Sequence, residues 1–246
     1  MENLSPKNSV PTLYLIPCPL GDVAPMEVLP LTIRKVIEDL THFIVENEKE
    51  ARRFIKRIAP QKKQEELVLY PLNKFTDPRE LQNYLDPIEA GKSMGLLSDA
   101  GCPGVADPGA VIVKRAHDKN MCVRPLVGPS SLLLAMMASG MNGQAFAFNG
   151  YLPIDKQDRQ RSLRQLEKRS GELDQTQIFI ETPYRNDQLL GDFIKTLSPS
   201  TLLCVACDLT LPTEWVKTAP IKEWKNITVK LQKRPAIFLI HKVLTI

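Results

Sequence analysis

Leu97-Ser98-Asp99-Ala100-Gly101-Cys102-Pro103-Gly104-Val105-Ala106-Asp107-Pro108-Gly109 separates an apolar run, Met94-Gly95-Leu96-Leu97-Ser98, from the helical beginning Ala110-Val111-Ile112-Val113-Lys114-Arg115-Ala116. Its three glycines, two prolines and two aspartates exclude regular structure. Glycine lets backbone approach a ligand closely, and proline holds the chain in few conformations. A stiff loop at the carboxyl end of a strand is where open α/β sheets place their ligand. Taken alone, this loop reads better as a Pro/Gly turn that merely connects two elements. Two further loops of the same kind change that balance. Pro17-Cys18-Pro19-Leu20-Gly21-Asp22 follows the apolar run Thr12-Leu13-Tyr14-Leu15-Ile16. Val127-Gly128-Pro129-Ser130-Ser131 leaves a strand and opens a helix with Ser130 at the N-cap, where free backbone N–H groups suit a carboxylate or hydroxyl.

Working outward, short apolar runs at residues 12–16, 43–45, 67–70, 94–97 and 122–126 predict strands. Helical spacing covers residues 31–40, 48–58, 79–90 and 131–139, with Phe54, Ile55 and Ile58 on the inward side of the second. This alternation predicts an α/β domain with a largely parallel sheet. The pattern changes near Asn149-Gly150-Tyr151-Leu152-Pro153. A polar helix over residues 155–169, a strand at 176–180, a helix at 187–197 and strands at 202–206 and 236–240 follow. Two α/β domains are therefore expected, residues 1–149 and 150–246, with a ligand cleft between them. Residues 1–11 read as a loose leader.

The chain has 246 residues, 43% hydrophobic and 24% charged, the balance of an ordinary globular protein. Its net charge of +4 tolerates a polyanionic partner without demanding one. Two basic stretches are more specific: Lys49, Arg52, Arg53, Lys56 and Arg57, and Lys156, Arg159, Arg161, Arg164, Lys168 and Arg169. They read either as phosphate-contacting helices or as solvated faces balanced by Glu46, Glu48, Glu50, Asp158 and Glu167. The five cysteines, with no signal peptide and no run able to span a bilayer, point to a reducing cytoplasm. Cys204 and Cys207 have the spacing of a metal pair, but on a strand their side chains face opposite ways. No zinc site is expected. No Gly-x-Gly-x-x-Gly and no Gly-x-x-x-x-Gly-Lys-Ser/Thr motif occurs, which removes the usual dinucleotide and ATP readings while leaving nucleoside-like ligands open.

The three loops, in this order and spacing, resemble the tetrapyrrole methylase superfamily of two-domain methyltransferases. Within it the chain is most similar to the bacterial 16S rRNA ribose 2′-O-methyltransferase branch, which also shows the equivalents of Gly150-Tyr151-Leu152-Pro153 and Glu181-Thr182-Pro183-Tyr184-Arg185. The likeness runs from about Thr12 to Lys217. It implies S-adenosyl-L-methionine as cofactor, rRNA as partner and a homodimer. It aligns Leu20, Asp99, Cys102, Ser130 and Ser131 with cofactor-contacting positions, and Thr182 and Pro235 more loosely. Leu20 and Cys102 also read as plain packing, and Asp99 as a carboxylate capping its own loop.

Transfer to a ribose hydroxyl requires removal of a proton, for which Glu46 is the candidate; a helix cap is its plainer reading. Arg185 has the planar fork to hold phosphate or substrate, or to pair with Glu181 or Asp187 across the domains. The branch's Ala-Glu-Asp-Thr-Arg stretch is Val45-Glu46-Asn47-Glu48-Lys49 here, and its Arg-Glu-Leu-Thr-Lys is Cys207-Asp208-Leu209-Thr210-Leu211. The sequence also ends before the carboxyl-terminal extension such enzymes carry. The cationic side chains lost from these two stretches weaken the rRNA expectation more than the cofactor expectation. They leave open a small-molecule acceptor such as a tetrapyrrole, or a cofactor-binding module without catalysis.

Overall fold

A computed structural model of the protein describes residues 10–242; the expected leader falls outside the described residues up to residue 9. The chain forms two compact units, one running through Pro129 and the other from Ser130.

In the first unit, β1 (Thr12–Ile16), α1 (Pro25–Val28), α2 (Leu31–Asp39), β2 (His42–Val45), α3 (Glu48–Ile58), β3 (Val68–Pro71), α4 (Asp86–Glu89), β4 (Met94–Leu97), α5 (Ala110–Asp118) and β5 (Cys122–Pro125) follow in order. The strands form one sheet in the order β3-β2-β4-β1-β5, every neighbouring pair parallel. Alternate residues on each strand face opposite sides of a sheet, so both faces need cover. Phe43, Val45, Ile16 and Leu97 pack with Ile33 and Ile37 of α2 and Ala51, Ile55 and Ile58 of α3. Leu13, Ile44, Met94 and Leu96 pack with Ile88 of α4 and Ile112 and Ala116 of α5. Because all five strands are parallel, their carboxyl ends and the loops leaving them share one edge. The helix expected over residues 79–90 is instead a 3-10 turn at Glu80–Gln82 and the short α4. Pro87 lacks a backbone N–H and fits only the first turn of a helix, so the helix starts beside it.

The second unit contains α6 (Ser131–Ser139), β6 (Phe146–Tyr151), α7 (Lys156–Leu173), β7 (Thr176–Ile180), α8 (Asn186–Thr196), β8 (Leu202–Cys207), β9 (Trp215–Pro220), α9 (Ile221–Trp224) and β10 (Ala236–His241). Its sheet runs β6-β7-β10-β8-β9; β6 and β7 are parallel and the other pairs antiparallel. Phe193 stacks on Phe238 and packs at a tilt against Phe179 in the core, where Leu163 of α7 and Trp224 are also fully buried. The Trp224 Nε1 donates to the carbonyls of Leu203 and Ala219, both at 3.1 Å. Cys207 belongs to this core with Leu203 and Val205, whereas Cys204 does not, as the alternation of a strand requires.

The units divide at Pro129/Ser130, upstream of the expected 149/150 boundary, which would cut β6 in two. β6 pairs with β7, and α6 packs on β8, β9 and β10, with the Thr218 hydroxyl donating to the Ser139 carbonyl at 2.8 Å. Both elements therefore belong with the second sheet. The sequence reading missed β6 because Asn149-Gly150 looks like a turn; here it is a bulge, with Gly150 at φ +63° and a register shift between Phe148 and Tyr151.

Arg159 is not part of a solvated basic face. Its guanidinium is buried and donates to Asp192 Oδ2 through Nε at 2.8 Å and Nη2 at 2.6 Å, and to the carbonyls of Pro153 and Ile154 through Nη1. Asp192→Ala is expected to leave that cation buried and unpaired, lowering stability by about 3–5 kcal/mol. Urea unfolding checks this; an unchanged midpoint refutes it.

Candidate functional site

At the carboxyl edge of the first sheet, two of the predicted loops are joined by backbone. Cys18 N–H donates to the Gly101 carbonyl at 2.9 Å, and Gly101 N–H returns a bond to the Cys18 carbonyl at 3.1 Å. Gly101 sits at φ +74°, and a Cβ there would come within 3.3 Å of Leu20 Cδ2. Only glycine takes that backbone without strain. Asp107 Oδ1 accepts from the N–H groups of Gly104 (2.7 Å) and Gly109 (2.8 Å), folding the long loop on itself. The third loop joins through Cys102, whose thiol donates to the Pro129 carbonyl at 3.4 Å. Gly128 permits the close approach: a Cβ there would lie 2.3 Å from Pro17 Cβ.

Glu46 follows β2, the neighbour of β4. Its Oε1 accepts from Asp99 N–H at 3.0 Å and from the Ser98 hydroxyl at 3.2 Å. The helix cap is the next residue: Asn47 Oδ1 accepts from the N–H groups of Lys49 and Glu50. Glu46 is therefore no cap for α3, and it ties the β2 loop to the β4 loop.

The loops after β1, β2 and β4, with α3, line an open cavity of about 230 Å³, to which the loop over residues 127–131 does not contribute. Val45, Leu97, Phe54 and Leu20 give it apolar walls; Glu46, Glu50 and Asp99 give it carboxylates. At its rim Arg57 donates to Asp22 Oδ1 at 2.7 Å and to the Val23 carbonyl at 2.8 Å, with Arg53 3.5 Å from the same carboxylate. The sequence reading missed Asp22, Arg53 and Arg57 as cavity residues, because helical spacing alone does not say which exposed cations turn toward a loop. It also missed Asp107, although Asp-Pro-Gly is a turn signature whose carboxylate binds nearby backbone.

Burial raises Asp99 above the ordinary carboxylate value, and the charges of Glu46, Glu50 and Asp107 add to it against a backbone hydrogen bond from Asn47 that lowers it. Burial, with Asp99 and Glu46 nearby, pushes the Cys18 thiol up, so it stays protonated and inert. Cys102 is raised by burial and by Asp107.

In the second unit, Thr182 and Pro235 lie at one end of the sheet, where Ile180 and Ile237 are register partners on β7 and β10. The Pro235 carbonyl accepts from Asp208 N–H at 2.9 Å. Arg185 is engaged locally: Nε and Nη2 reach Glu181 Oε1 at 3.1 and 2.6 Å, and the same oxygen accepts from Thr182 N–H. Asp187 instead accepts from Leu231 N–H at 2.8 Å. Ser130 occupies the N-cap of α6 as expected, but its hydroxyl makes no capping bond. Ser131 opens the helix. Leu20, Glu46 and Asp99 thus line one cavity in the first unit, whereas Cys102 turns to the Pro129 carbonyl outside that lining; Thr182 and Arg185 share Glu181 in the second.

No family model matches the chain. It is 30% identical to ribosomal RNA small subunit methyltransferase I of Bacillus subtilis over 89% of its own length and 72% of that protein. The chain belongs to the ribosomal RNA small subunit methyltransferase I family. The Vibrio cholerae family member is 26% identical over 98% of the chain and 80% of its own length. Among solved structures, uroporphyrin-III C-methyltransferase of Thermus thermophilus, complexed with S-adenosylhomocysteine, superposes at a TM-score of 0.55 with 16% identity, covering 94% of this chain and 97% of that one. The tetrapyrrole methylase fold read from the three loops is the fold of the protein.

A carboxyl group held above its unfolded pKa stabilises the fold fully below the unfolded value and loses that contribution as pH rises through the folded value. Asp99→Asn is therefore expected to stabilise the protein relative to wild type at neutral pH, with the gain vanishing below the carboxylate range. Urea unfolding at both pH values checks it; an equal gain at both overturns the cause assigned to Asp99.

Proposed function

We propose that the protein transfers a methyl group from S-adenosyl-L-methionine to a ribose 2′-hydroxyl of 16S rRNA. The observation that carries this reading is kinship with the rRNA methyltransferase family over nine-tenths of the chain. The donor set fits the cofactor. Asp99, Glu46 and Glu50 line the same cavity, with Arg53 3.7 Å from Glu50; burial first, and then repulsion from Glu46 and Glu50, holds the Asp99 proton above the usual range. A positively charged sulfonium relieves that repulsion.

When bound, the cofactor supplies an activated methyl group, so the protein's task is alignment and proton removal. Glu46 takes the proton of the ribose hydroxyl. The Asp99 N–H and the Ser98 hydroxyl hold its Oε1 and fix its orientation. Leu20, Asp99 and Cys102 are the proposed cofactor contacts of the first unit, and Ser130, Ser131, Thr182 and Pro235 those of the second. Arg185, braced by Glu181, meets the substrate with the edge of its guanidinium that the carboxylate does not use.

The same reading makes the protein a cytoplasmic homodimer. In support, Leu133 and Met137, one helical turn apart on α6, are 53% and 80% exposed. No helix among the described residues is long and apolar enough to cross a membrane. Sedimentation checks the dimer.

S-Adenosylhomocysteine should bind in the micromolar range, about −8 kcal/mol by titration calorimetry. Asp99→Arg should abolish that binding and leave the unfolding transition in place; retained binding shows that the cofactor lies elsewhere. Mass spectrometry of 16S rRNA from a deletion strain should show the loss of one ribose methyl group. An unaltered profile ends the rRNA assignment.

A further inference from the structure

β3 ends at Pro71, on the same edge of the parallel sheet as β2 and the Glu46 loop. The chain then makes a tight turn through residues 72–76, held by hydrogen bonds within itself and to the carbonyls of Val45, Glu46 and Pro71. Leu72 N–H donates to the Val45 carbonyl at 2.7 Å. Asn73 Oδ1 accepts from Phe75 N–H at 2.9 Å, and its Nδ2 reaches the Glu46 carbonyl at 3.3 Å. The Thr76 hydroxyl accepts from Asn73 N–H at 2.9 Å and donates to the Pro71 carbonyl at 3.1 Å. None of these bonds uses the Phe75 ring, which is 83% exposed, the most exposed large apolar side chain among the described residues. Lys74 Nζ lies over that ring, 4.9 Å from its centroid, and has no carboxylate within ion-pair distance among the described residues. The turn therefore displays a flat apolar surface and an unneutralised cation from a backbone that cannot fold them away, anchored directly to the residue after β2.

We propose that Phe75 and Lys74 form a stacking platform for an unpaired base of the RNA substrate, with Lys74 meeting the adjoining phosphate. The proposal rests on the rRNA reading above and extends it to how the acceptor strand is held beside the site. An exposed ring offers a face to any base, and stacking is tolerant of sequence. A cation at its edge suits the polyanionic backbone that each base carries. A basic chain with this tile next to Glu46 favours single-stranded RNA over an apolar protein segment, for which an isolated ring beside a lysine offers little to bury.

The test uses the full chain with Phe75→Ala and Phe75→Trp. Binding of an oligouridylate of about 12 nucleotides is followed by anisotropy, alongside the KM and kcat for small-subunit rRNA and the affinity for S-adenosylhomocysteine. Phe75→Ala should weaken oligouridylate binding on the order of tenfold and raise the KM for rRNA more than it lowers kcat, with S-adenosylhomocysteine bound as in wild type. Phe75→Trp should restore or exceed wild-type affinity. Wild-type RNA affinity in Phe75→Ala overturns the platform, as does a Trp variant as weak as the Ala one. A wild-type protein that transfers no methyl group to rRNA, yet loses oligouridylate binding in Phe75→Ala, overturns the rRNA acceptor and supports the platform.

Discussion

The reciprocal backbone pair between Cys18 and Gly101 is the constraint on which the candidate site depends. It joins the loop after β1 to the loop after β4, so that two segments far apart in sequence move as one wall. Such a pair is open to few residues. It needs a backbone at φ +74° and room for Leu20 to lie against it, conditions that a side chain at position 101 spoils. Around that bridge the Asp107 carboxylate, the Cys102 thiol and the close approach of Gly128 to Pro17 lock the remaining loop backbone. The preorganisation is in the backbone.

Glu46 joins this framework to chemistry. Its carboxylate spans from the end of β2 to the start of the β4 loop, and its carbonyl holds the turn that carries Phe75. One residue thus couples the cavity wall, the neighbouring carboxylates and the outer rim. Burial, and after it the neighbouring carboxylates, raises the cost of charge at Asp99, as its upward shift records. A cationic group repays that cost when it enters. At the rim Arg57 and Arg53 pair with Asp22, and Arg53 also lies 3.7 Å from the Glu50 carboxylate.

Much of the first unit was legible because its strands are short, apolar and punctuated by Pro and Gly. β1 has the expected bounds; in the second unit α6 does too, and the polar helix expected from residue 155 begins at Lys156, with Asp155 as its N-cap. Errors arose where one residue sends two messages. Pro87 lies within a helical pattern yet can only begin a helix, and Asn149-Gly150 spells a turn yet forms a bulge inside β6. Arg159 looked like its exposed basic neighbours but is the buried partner of Asp192, a carboxylate two elements away.

What the sequence determined by itself was the alternation of strands and helices, the three stiff loops and the family likeness they carry. These are local properties of backbone conformation and of residue order. The tertiary structure alone decided that Glu46 grips the Asp99 loop, that Arg185 is occupied by Glu181, that α6 and β6 belong to the second sheet, and that Phe75 stands uncovered at the edge of the site. Each of these depends on which surfaces meet across long stretches of chain, and pairing at a distance leaves no periodicity in the sequence to read.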